Sequence, residues 1–74
     1  MNVARDLHNR WLGGEQIAGV KFLMNDYVVV AFGRHAGLCG SVVSVIKFEP
    51  NPPYVVETEK NGDIEVRENE IHHP

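Results

Sequence analysis

Asp26-Tyr27-Val28-Val29-Val30-Ala31-Phe32-Gly33-Arg34-His35-Ala36-Gly37-Leu38-Cys39-Gly40-Ser41-Val42 is the stretch on which the fold turns. A valine-rich run enters a segment punctuated by three glycines, and the chain leaves it as a second valine-rich run. Glycines between two strands mark positions where the backbone adopts positive φ or where another backbone comes close. Gly33, Gly37 and Gly40 are therefore read as structural residues that set the corners of a small, strongly bent sheet. The Tyr27–Phe32 run is apolar on both faces, as expected of a strand covered on both sides.

Downstream, Gly40 to Glu49 continues as a second strand, and Pro50-Asn51-Pro52-Pro53 breaks it. Tyr54 to Glu59 reads as a third strand, and Asn61-Gly62 is a hairpin signal leading into the alternating fourth, Asp63 to Arg67. A short turn and Ile71 follow. Upstream, Asn2 is placed to cap a helix whose stripe is Val3, Leu7 and Trp11, and Gly13-Gly14 stops it. Gln16 to Leu23 reads equally as a leading strand or an extended arm. The expected architecture is mainly β: a small antiparallel barrel of about five strands with a short N-terminal α-helix. Residues 1–14 form the helix and a Gly-Gly hinge, and residues 15–74 form the barrel.

Seventy-four residues make one domain, and a chain this short buries only about 60% of its unfolded surface. Its only cysteine is Cys39, which rules out an internal disulfide and suits a reducing compartment. The opening lacks the apolar core of a leader, and no apolar run approaches the ~20 residues of a membrane span. A cytoplasmic chain with no membrane partner is expected. Before Lys47 there are four bases against three acids; from Lys47 on, three bases face seven acids. Phosphate neutralisation by Lys and Arg dominates nucleic-acid affinity, so the acidic half argues against nucleic acid as first partner.

The quoted stretch resembles the KOW motif of SH3-like barrels in ribosomal proteins and transcription elongation factors. The glycine spacing and flanking valines carry the resemblance, which covers about Asp26 to Ile71 and implies an SH3-like barrel. RNA-binding members fill the glycine turn with lysines; here Ala36, Leu38 and Cys39 stand there, with Arg34 as the remaining cation. The layout is also similar to the plasmid-borne type II dihydrofolate reductases, which build a pore from several copies. Their Val-Gln-Ile-Tyr segment corresponds here to Ile64-Glu65-Val66-Arg67, so the glutamine and tyrosine of that site are missing. That resemblance implies a shared scaffold, with self-association, and not a shared activity.

No catalytic residue, cofactor or metal site is expected. Cys39 lies four positions from His35 with no matched acid in view, and a small filler thiol is the plainer reading. His8, His35, His72 and His73 lack metal-ligand spacing. Two surfaces are singled out instead. One is the Val3, Leu7, Trp11 stripe, which covers the barrel end or meets another copy of the chain; tryptophan is enriched at interface hot spots. The other is an acidic face of Glu57, Glu59, Glu65 and Asp63 on two paired strands, since neighbouring like charges destabilise a sheet and need a reason to persist. The expected function is a non-catalytic protein-interaction module, adaptor or accessory, that self-associates. The alternative is nucleic-acid contact through Arg5, Arg10, Lys21 and Arg34; an enzyme with an inter-subunit site comes last.

Overall fold

The computed structural model describes the backbone of residues 3–74 and the side chains from Arg5 onward. The expected cap Asn2 and the side chain of Val3 lie outside the described residues. Helix α1 spans Val3–Leu12. It ends where expected: the Gly13 and Gly14 N–H groups donate back to the carbonyls of Asn9 and Trp11, and Gly14 takes φ +89°, a left-handed conformation that suits glycine. Beyond the stop, the Arg10 guanidinium grips the Glu15 carboxylate.

Residues 16–23 form the arm and not a strand. A single bridge between Ile17 and Val20 closes a tight turn, and the following residues run to Asp26, whose carboxylate accepts from the Leu23 N–H at 2.9 Å. The sheet then builds from β1 (Tyr27–Val30), β2 (Cys39–Val45), β3 (Pro53–Thr58), β4 (Gly62–Arg67) and β5 (Ile71–His72). Its order is β4-β3-β2-β1-β5, and all neighbouring pairs are antiparallel. β1 stops at Val30, short of Phe32, because the N–H groups of Ala31 and Phe32 both turn to the Glu70 carbonyl. The register of β2 against β3 slips between Val42 and Ser44, a bulge at Val43 that bends the strand.

The glycines act in the two ways their spacing implied. Gly33 and Gly37 sit at φ +90° and +96° in the β1–β2 connection. Gly40 lies inside β2, where a Cβ would collide with the backbone carbonyl of Glu57 on β3.

The expected closed barrel is corrected. β4 and β5 stand at opposite ends of the ladder order, yet a single 3-10 turn, Glu68–Glu70, joins them. The sheet therefore has to curl until its two ends approach, but no ladder joins them. The turn itself takes up one of the groups a ladder would use: the Arg67 N–H donates to the Glu70 carboxylate at 2.7 Å. Side chains from the arm fill in. Phe22 lies edge-on to Tyr54 of β3 at 5.6 Å and to His73, just past β5, at 4.9 Å between ring centroids.

Beneath the curl lies one core of Trp11, Phe22, Val28, Val30, Val42, Val45, Tyr54, Val56, Ile64, Val66 and Ile71, with Ile17 and Val20 from the arm. Among the described residues no helix is long and apolar enough to cross a membrane.

Candidate interaction face

Of the helical stripe, Trp11 is in the core and fully buried by its own chain. Its indole Nε1–H donates to the Phe22 carbonyl at 2.8 Å, so ring and polar tip are both satisfied internally. Of the two readings, a helix covering its own barrel end or a contact with another copy, the burial of Trp11 within its own chain favours the first. Leu7 is half-buried against the same core and lines a shallow groove of about 490 Å³ with Ile17, Val20, Phe48 and Pro50.

A clasp that the sequence did not suggest locks the arm in place. The Tyr54 hydroxyl donates to the Glu68 carboxylate at 2.7 Å and accepts from the Phe22 N–H at 3.3 Å. The same Glu68 oxygen accepts the Lys21 N–H at 2.9 Å. Burial, and then the bond to Glu68, push the Tyr54 phenol above its ordinary range.

The acidic residues end up on the opposite, solvent-facing side of the sheet. Side chains alternate along each strand, and inward Val56, Ile64 and Val66 are buried while Glu57, Asp63 and Glu65 are exposed. Register sets Tyr27, Ser41, Glu57 and Asp63 in one row across four strands. Glu57 and Asp63 are thus direct cross-strand neighbours, and Glu65, opposite Val55, is the next outward residue along β4. Glu59 departs from expectation, since it lies in the β3–β4 turn and not on the strand. None of these four carboxylates has an ion-pair partner among the described residues. Arg67 pairs instead with Glu49 at 2.7 Å, and Lys47 with the same carboxylate at 3.4 Å. Those contacts, Arg67 first, hold the Glu49 carboxyl below its usual range.

Tyr27, at the far end of the row, is about half exposed and donates its hydroxyl to the Cys39 sulfur at 2.9 Å. That contact, with Glu59 behind it, pushes the Tyr27 phenol above its ordinary value. The hairpin beside it is pinned by one side chain: Thr58 Oγ1 donates to the Gly62 carbonyl at 2.6 Å and accepts from the Asn61 N–H at 3.0 Å.

The four bases of the nucleic-acid alternative come from three elements. Arg5 and Arg10 are on α1, Lys21 is on the arm and Arg34 is in the β1–β2 connection, all exposed. Arg10 is taken by Glu15, with Asp6 at 3.9 Å, and Lys21 Nζ lies 5.5 Å from the Phe22 ring centroid. Among the described residues no group of three or more His, Cys, Asp or Glu side chains converges as a metal cage would. His73 reaches Asp26 at 3.3 Å, and His72 bonds the His73 carbonyl. Comparison with protein-family models, with curated proteins and with solved structures returned no match for this chain.

Proposed function

We propose that this chain is a non-catalytic interaction module, an adaptor or accessory component, whose contact surface is the acidic outer face of β3 and β4. The observation that carries the reading is the direct pairing of Glu57 with Asp63, flanked by Glu65 and met by no cation among the described residues. Directly opposed like charges destabilise a sheet, so a use outside the fold accounts for their presence. The half-exposed Tyr27 at the end of the same row adds the aromatic element that contact surfaces favour. An SH3-like scaffold and a cytoplasmic setting belong to the same proposal; the exposed thiol of Cys39 fits a reducing compartment.

Affinity capture from an extract of the source organism tests the reading, with the wild-type chain beside the variant Glu57→Gln/Asp63→Asn/Glu65→Gln. Wild type should retain at least one protein that the variant loses, and added salt should weaken that retention. Identical retained sets for the two chains would refute the reading.

A further inference from the structure

β4 is an edge strand, with no neighbour beyond it in the sheet. Two hydrogen bonds reveal which of its backbone groups face outward. The Pro53 carbonyl accepts from Ile46, on the β2 side, at 2.8 Å. The Arg67 N–H is held by the Glu70 carboxylate. Pro53 and Arg67 are register partners, so that pair does not bond to itself. Alternation along an antiparallel ladder then makes Tyr54–Val66, Val56–Ile64 and Thr58–Gly62 the bonded pairs. The N–H and C=O groups of Asp63 and Glu65 consequently point away from β3, and no hydrogen bond among the described residues takes them.

Natural edges are usually blunted by proline, by charged side chains such as lysine, by a bulge or by extreme shortness, and the acids of β4 bar an acidic strand while matching a basic one. β4 contains neither proline nor lysine, and its six pairs with β3 run without a slip. β5 at the other end is only two residues long. Charge is thus the one such device on the longer edge, and the two residues that offer unpaired backbone groups are the two that carry carboxylates. An incoming strand would pair directly with Asp63 and Glu65, and its side chains at those positions would lie beside theirs on the outer face, with Glu57 behind.

We propose that the free edge of β4 captures an extended basic segment of another protein as a sixth strand, with Lys or Arg at alternate positions facing Asp63 and Glu65. The claim rests on the interaction reading above and names the partner's chemistry. In strand addition the main-chain bonds supply affinity and the alternate side chains supply selectivity. A second copy of this chain does not meet the requirement, because no two of its Lys or Arg residues are spaced by one residue. Antiparallel pairing of β4 with itself about Glu65 would oppose Glu65 to Glu65 and draw on Arg67, which already holds Glu49.

The test uses a blocked hexapeptide of alternating lysine and threonine, at low salt, followed by amide hydrogen exchange and chemical-shift titration. Binding should slow exchange at the Asp63 and Glu65 amides. The same peptide N-methylated at each lysine nitrogen cannot pair its backbone and should not bind. Asp63→Asn/Glu65→Gln, which leaves the β3 ladder intact, should bind the unmodified peptide about fivefold more weakly. Equal binding of the N-methylated peptide, unchanged exchange at those amides, or no binding would each overturn the proposal. If the peptide fails while the extract partner is still lost from the acid-neutralised variant, strand capture falls and the interaction reading stands. If that partner is indifferent to the acids, the interaction reading falls too.

Discussion

Tyr54 shows how much one side chain carries in a chain this short. Its hydroxyl joins β3, the arm and the turn before β5 through Glu68 and the Phe22 N–H. Tyr54→Phe keeps the ring but strands the buried Phe22 N–H and leaves Glu68 only its bond from Lys21, so urea unfolding should show a loss of about 1–3 kcal/mol. The pH dependence has a definite sign. The folded phenol is raised above its unfolded value, so its contribution is complete below about pH 10 and is lost as pH rises beyond that. Tyr54→Phe should flatten this alkaline decline in an unfolding series. Gly40 is constrained by space and not by φ. Gly40→Ala would drive a methyl into the Glu57 backbone carbonyl, and overpacking of this kind should lower stability by about 1–3 kcal/mol. Gly14→Ala has open space around its Cβ, so any cost there is set by its positive φ alone.

At the scale of elements, α1 depends on the rest of the chain, since ten residues do not hold a helix in water unaided. Trp11→Ala should remove about 3–5 kcal/mol, a large share of the roughly 4–11 kcal/mol available to a domain of this size. It should also reduce far-UV helix signal, and in the wild type the emission of Trp11 should be that of a buried indole. The elements themselves were largely legible: the valine runs, the Asn61-Gly62 hairpin and the Gly13-Gly14 stop all lie where pattern and turn chemistry put them. What escaped depended on distant partners. β1 ends at Val30 because Glu70, far along the chain, supplies the carbonyl that takes the next two N–H groups. Trp11 is anchored by the Phe22 carbonyl, and a backbone acceptor leaves no mark in a sequence. The acidic face was legible as composition, but the direct opposition of Glu57 and Asp63 needed the register. So did the outward turn of the Asp63 and Glu65 backbone groups.

For the whole molecule, the chain's −3 charge is less informative than which carboxylates have partners. Glu15 and Glu49 are held below their usual values by Arg10 and by Arg67 with Lys47. Their contribution is therefore present above the ordinary carboxylate range and is lost as pH falls through their lowered folded values. A thermal series from pH 6 downward should show Tm falling below about pH 4.5. Arg67→Gln, which frees Glu49 from its principal partner, should make that fall shallower. Glu57 and Asp63 are the opposite case, two acids set directly against each other with no ion-pair partner among the described residues. The most direct measurement is the urea-unfolding free energy of Glu57→Gln/Asp63→Asn against wild type at low and high salt. The variant should be more stable by roughly 0.2–1 kcal/mol at low salt, with the gain shrinking as salt screens the repulsion. A variant less stable than wild type at low salt would show that these carboxylates hold the sheet together, and would contradict their assignment to a contact surface.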